Sequence, residues 1–287
     1  MSRTIRTRDG LELRRRDWPS DGARGTIVIV HGLGEHIDRY GHVAAALNAS
    51  RWRVVGYDQR GHGRSPGDRG RLVAGDDLLV DLATVIDTVR AEFAGPLVLL
   101  GHSLGGLVAA RFVAGGVESP TPDWQRPVDA LALSSPALGI PMTPVQRGLL
   151  AVLGPIAPDL AVGNGLGAES VSRSATTVSA YASDPLVHDR VTARLTRFIV
   201  DGGEAVRRLA PRWRVPTLVL YAGSDLCVLP SASAAFAAAA PSGIVTAREF
   251  PILFHEIFNE PEQAEVLSVL VAWLDTLPFS PSTRSPR

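Results

Sequence analysis

The stretch LVLLGHSLGGLVAAR, residues 97–111, runs apolar, stops at a glycine, offers one serine, passes two more glycines and then takes on helical spacing. A short apolar run bounded by glycine reads as a buried strand, and the small apolar segment 104–114 reads as a buried helix. Between them, Gly101-His102-Ser103-Leu104-Gly105 fits the pattern G-x-S-x-G. A serine hydroxyl is a poor nucleophile until a base takes its proton, and it must stand clear of the sheet to meet a substrate. A tight strand-to-helix turn does this but crowds its flanks. Glycines at 101 and 105 remove the Cβ atoms that would collide there. The helix that follows aims its N-terminus at the reacting centre, where negative charge develops. Ser103 is therefore the candidate nucleophile.

Other apolar runs flank this one: TIVIV (26–30), RVVGYD (53–58), VDALALSS (128–135) and TLVLYAG (217–223). They are continuous rather than alternating, which predicts strands covered on both faces, as in a parallel sheet between two layers of helices. Helical spacing recurs between them. In 76–93, Leu78, Leu82, Val85, Ile86 and Val89 fall on one face. Segment 261–277 opens with Pro261 and acids, which suit a helix N-terminus. Asp9-Gly10 between two short polar runs predicts an N-terminal hairpin. The pattern breaks from 136 to 213, a stretch rich in Pro and Gly at first and then holding helix-like pieces around 189–210. The expectation is an α/β core over 1–136 and 213–277, with a cap inserted over 137–212 across the C-terminal edge of the sheet.

With 287 residues the chain is long enough to bury a large core. Its 29 basic residues, all arginine, balance 29 acidic ones, so it lacks the excess positive charge of a nucleic-acid binder. One cysteine, Cys227, leaves no internal disulfide and no cysteine-based metal cluster. No spacing suggests a metal site: His31 and His36 straddle a glycine loop, not a helix face. The glycine-rich, basic stretch 57–70 lacks the G-K-S/T ending of a phosphate-binding loop and reads as structural, as do His31 and His62. No apolar leader follows the charged N-terminus, and no segment is long and apolar enough to span a bilayer, so a cytoplasmic location is expected. Residues 278–287, rich in Pro, Ser and Arg, are expected to be disordered.

A serine nucleophile of this kind needs an acid and a histidine later in the chain, in that order. LVLYAGSDLCV runs a strand straight into Asp225, and a carboxylate past the C-terminal end of a strand is well placed for a site. His255, before the last helix, is the only histidine beyond it. His255 would take the proton of Ser103, and Asp225 would orient the imidazole. Asp184 is a rival acid but falls in the expected cap, and Glu256, beside the histidine, is expected to point elsewhere. Two donors must meet the oxyanion: the backbone N–H of Leu104, and one from the loop His31-Gly32-Leu33-Gly34, assigned to Leu33.

Taken together, HGLGEHIDRY (31–40), YDQRGHGRSPG (57–67), GHSLGG (101–106), YASDPLVH (181–188), AGSDLCV (222–228) and FHEIFNEPE (254–262) resemble the monoacylglycerol lipase / lysophospholipase-like family of serine α/β-hydrolases. The resemblance implies a mostly parallel eight-stranded sheet, hydrolysis of a single-chain ester through an acyl-enzyme, no cofactor, and the triad Ser103, Asp225, His255. It also puts Glu35 and Arg39, joined by His102, at the polar, glycerol-accepting end of the pocket. From its composition, the apolar cap start, Leu138 to Leu166, reads either as a lid that admits an acyl chain and touches a membrane or micelle surface, or as a cap packed on its own domain. Within this class a lysophospholipase or a short-chain carboxylesterase remains open. Outside it stands a non-catalytic binding protein on the same fold. A dehalogenase or epoxide hydrolase would carry an aspartate where Ser103 stands.

Overall fold

The computed structural model describes residues 3–279, so the expected tail lies outside it apart from its first two residues. The N-terminal hairpin is β1 (Arg3–Arg6) and β2 (Glu12–Trp18), turning through Gly10 at φ +91°. Then follow β3 (Gly25–Val30), α1 (Gly41–Ala49), β4 (Trp52–Tyr57), α2 (Asp77–Glu92), β5 (Leu97–His102), α3 (Ser103–Ala114) and β6 (Ala130–Ser134). An insert intervenes, with α4 (Pro144–Ile156), β7 (Ala161–Gly163), α5 (Ala175–Ser183), β8 (Arg190–Thr192) and α6 (Ala193–Leu209). The sheet resumes with β9 (Thr217–Ala222), α7 (Pro230–Ala239), β10 (Val245–Phe250) and α8 (Gln263–Thr276).

The main sheet has eight strands in the order β1-β2-β4-β3-β5-β6-β9-β10. β1, β2 and β4 pair antiparallel in turn, and every pairing from β4 to β10 is parallel. The apolar runs that looked continuous divide their side chains between two cores. Leu97 and Leu99 of β5, with Val28 and Val30 of β3, pack beneath α2, α3 and α7. Val98 and Leu100, with Ile27 and Ile29, pack beneath α1 and α8. Both faces being buried is why no polar alternation survives in these strands. This fixes β5 in the middle of the sheet and holds its C-terminal end, where Ser103 begins α3, against lateral movement.

The insert is attached at the C-terminal ends of the strands. His188 N–H donates to the Gly34 carbonyl at 2.8 Å, and Thr192 N–H and Oγ1 both donate to the Gly70 carbonyl. Glu256 N–H donates to Val171 O at 2.8 Å, and His36 Nε2 lies 2.8 Å from Asp184. The His62 ring sits between those of His31 and His188, at 5.3 and 4.8 Å. α6 packs on α3 through Leu195, Phe198, Ile199 and Val206. α4 and α5 behave differently: α5 buries no residue, and Val145, Leu149, Val152 and Ile156 of α4 are 55–79% exposed.

Candidate active site

Ser103 is the first residue of α3 and adopts φ +53°, the left-handed region. The turn that puts it there depends on the absence of side chains beside it. A Cβ at Gly105 would lie 2.1 Å from the Val30 carbonyl oxygen, and one at Gly101 would lie 2.4 Å from the Gly105 oxygen. The helix therefore starts pressed against β3, and the serine is lifted off the end of β5.

Three side chains from separate parts of the chain converge, Ser103 at the start of α3 and Asp225 and His255 on loops. His255 Nε2 is 2.8 Å from Ser103 Oγ, and His255 Nδ1 is 2.8 Å from Asp225 Oδ2. The second oxygen of Asp225 accepts from the N–H groups of Cys227 and Val228, which fixes the carboxylate. Burial would raise the Asp225 carboxyl, but the facing imidazole and these donors hold it below its ordinary value. Burial likewise pushes His255 down, yet Asp225 and, behind it, Glu256 and Glu35 carry it above the ordinary histidine value. Asp184, the rival acid, is spent on His36.

The backbone N–H groups of Leu33 and Leu104 have no acceptor among the described residues. Leu104 lies in the first turn of α3, whose amides have no carbonyl inside the helix to receive them. Both leucines line the cavity around Ser103, about 80 Å³, together with Glu35, His102, Tyr181 and His255. That cavity shares Leu33, Ile140, Leu166, Ile199 and Cys227 with an adjoining space of about 310 Å³, whose walls add Met142, Leu149, Leu150, Leu160 and Val191. A larger groove of about 830 Å³ lies away from the serine, among arginines of the N-terminal hairpin. Arg3, Arg14, Arg15, Arg16 and Arg64 there are engaged by Asp17, Asp38, Asp58 and Glu92, and Arg53 lies over the Phe93 ring.

His102 faces the cavity with Nδ1 3.0 Å from the Ser134 carbonyl, and burial, then the neighbouring His255, drives it down to about 3. Nδ1 is equally 3.0 Å from Ser134 Oγ, and donation of an Nδ1 proton to the carbonyl would leave Nε2 as an acceptor. Glu35 also borders the cavity, but its oxygens are engaged by Gly32 N–H, the Tyr40 hydroxyl and Arg39. Arg39 does not line the cavity. Glu35 and Glu256 grip its guanidinium, and the Tyr181 ring lies 4.9 Å away. Sequence spacing missed Glu256. The Cys227 thiol is pushed up to about 12 by burial, which leaves it inert and a poor metal ligand beside Asp225 and His255. His31 and His62 brace loops: His31 Nε2 accepts from Gln59 N–H, and His62 Nδ1 meets Arg60 O.

Comparison with known proteins agrees with this architecture. A monoacylglycerol lipase of Mycolicibacterium smegmatis is 33% identical over 260 residues, covering 89% of this chain and 90% of the relative. Phospholipase YtpA of Bacillus subtilis is 32% identical over 262 residues, covering 90% and 98%. The crystal structure of Paleococcus ferrophilus monoacylglycerol lipase superposes with TM-score 0.79 at 36% identity, covering 92% of this chain and 98% of that one. The family described as serine aminopeptidase, S33, matches residues 21–262. With the elbow at Ser103, the parallel sheet and these relatives in agreement, the chain belongs to that family of serine hydrolases and has the α/β-hydrolase fold.

Proposed function

We propose that the protein hydrolyses monoacylglycerols to fatty acid and glycerol, with Ser103, His255 and Asp225 as the catalytic triad. The observation that carries this is the largely apolar space of about 310 Å³ that shares Leu33, Ile140, Asn164, Leu166, Ile199 and Cys227 with the smaller cavity around the serine. An acyl chain lying there delivers its ester carbonyl to Ser103 Oγ. His255 Nε2 takes the hydroxyl proton as the new C–O bond forms, and Asp225 stabilises the imidazolium. The carbonyl oxygen turns to the N–H groups of Leu33 and Leu104, each donor worth about 3 kcal/mol in the transition state. The imidazolium returns its proton to the departing glycerol oxygen. Water, deprotonated by the same imidazole, then splits the acyl-enzyme and frees the fatty acid.

The polar end favours an uncharged head group. Neutral His102 offers an acceptor to a glycerol hydroxyl. Glu35, Arg39 and Glu256 together carry one net negative charge, which disfavours the phosphate of a lysophospholipid there. We read residues 137–212 as a cap whose exposed stripe Val145, Leu149, Val152 and Ile156 rests on lipid. Among the described residues no helix is long and apolar enough to cross a membrane.

The test is a substrate panel with Ser103→Ala as the blank: monoacylglycerols, lysophosphatidylcholine, p-nitrophenyl esters of graded length and aminoacyl amides. Monoacylglycerols should lead, and Ser103→Ala should lose at least about 10⁴-fold. Faster turnover of lysophosphatidylcholine would replace the proposal with a phospholipase. Faster turnover of aminoacyl amides would replace it with a peptidase.

A further inference from the structure

The site is assembled from two loops with no covalent or strand connection near the serine. One, after β3, carries the Leu33 amide. The other, before α8, carries His255. A buried bridge joins them. Arg39 Nη1 donates to Glu35 Oε2 at 2.7 Å and to Glu256 Oε1 at 2.6 Å, and Nη2 donates to Glu256 Oε2 at 2.7 Å. All three side chains are 13% exposed or less. Each end is anchored again. The other oxygen of Glu35 accepts Gly32 N–H and the Tyr40 hydroxyl, both at 2.6 Å, so it grips the peptide unit next to Leu33. Glu256 directly follows His255 and also accepts from Asn259 Nδ2 at 2.9 Å.

We propose that Glu35, Arg39 and Glu256 are positioning residues: the arginine, clamped by two carboxylates, sets the spacing between the oxyanion-binding amide and the general base. This rests on the ester-hydrolase assignment and extends it, because it gives Glu35 and Arg39 a duty other than holding the alcohol. A bidentate guanidinium suits the duty, since its planar fork fixes orientation as well as distance. The bridge also adds one net negative charge near His255, where positive charge must appear during catalysis. The other charged or titratable groups facing that imidazole are Asp225 on the loop after β9, His102 at the end of β5 with its ring 4.9 Å away, and the inert Cys227 thiol. Holding Glu35 ionised is itself part of the arrangement. Burial alone would raise it, and Arg39 foremost brings it to about 2.

The experiment compares Glu256→Gln and Arg39→Met on a soluble p-nitrophenyl ester across pH, with Ser103→Ala as the inert control and melting temperature as the folding check. A misplacement of the order of 1 Å costs about 100-fold, so both variants should lose about 10- to 100-fold, mostly in kcat rather than KM. Their pH profiles should separate. Glu256→Gln removes a negative charge near His255, which lowers its pKa and moves the acid limb of kcat/KM down by about 0.5 or more. Arg39→Met leaves two carboxylates facing each other and moves that limb up. A packing role alone would not split the two in opposite directions. The proposal is overturned if the folded variants keep kcat within about threefold of the parent, or if both limbs move the same way. Should Arg39→Met fail to fold, Glu256→Gln decides alone, because the amide keeps the carboxylate's volume. An active Ser103→Ala would instead sink the ester-hydrolase assignment itself, so the two failures are distinguishable.

Discussion

The sheet around Ser103 and the α4–α5 part of the insert between β6 and β9 follow opposite rules. Every residue of β3 and β5 is buried, and the backbone at their ends is packed so closely that Gly105 has no room for a methyl group. In the insert, β7 is exposed along its length and α5 buries nothing. α4 turns Val145, Leu149, Val152 and Ile156 outward at helical spacing. The first region holds three side chains within hydrogen-bond reach and tolerates no slack. The second carries a seam of apolar surface with no protein partner among the described residues, and it encloses the space where a chain would lie. Precision and adaptability are thus assigned to separate parts of one chain.

The sharpest way to break this contrast is to make one substitution in both regions. Gly105→Ala sets a Cβ about 2 Å from a carbonyl oxygen, so the elbow must shift. Activity on a soluble ester should fall at least about 100-fold, and the fold should lose about 3 kcal/mol, read by denaturant titration. A near-normal Gly105→Ala enzyme would mean the sheet end is not tightly packed. Next in size is the outer seam. Val145, Val152 and Ile156, none of which lines the cavity, can be replaced together by serine. Hydrolysis of emulsified monoacylglycerol should drop about 10-fold while a soluble short ester changes less than about twofold. Equal losses on both substrates would return α4 to the role of ordinary packing. The smallest effect belongs to Gly148→Ala, the counterpart of the first change. Nothing lies within 4 Å of a Cβ there, so helix propensity alone should add about 0.5–1 kcal/mol without altering turnover of the soluble ester.

The same contrast explains what could be read from the residues alone. The five apolar runs at 26–30, 53–58, 96–101, 128–135 and 217–223 are β3, β4, β5, β6 and β9, because burial on both faces leaves an uninterrupted signal. β10 escaped notice. It is an edge strand, VTAREF, exposed along most of its length and carrying Arg248 and Glu249. Ser103, Asp225 and His255 stood out because their chemistry demands an order and a place relative to strands. Glu256 did not, since its partner Arg39 lies 217 positions away and neither residue type is rare. α4 was opaque for another reason: with Gly148, Gly154 and Pro155 in its sequence and its apolar stripe facing outward, local composition resembles a loop.

Gly34 gives the clearest view of how the two regions meet. At φ +76° it leaves no space for any larger residue, because the carbonyl oxygen of His188 sits 2.1 Å from where a Cβ would be. Its own carbonyl is held by the His188 amide, and its neighbour on the other side is Leu33. A push or pull on the insert therefore arrives one residue away from Leu33, whose amide would meet the developing oxyanion in the proposed mechanism. On that reading the insert and the anion-binding amide form one mechanical linkage, with a single hydrogen atom at position 34 as its bearing.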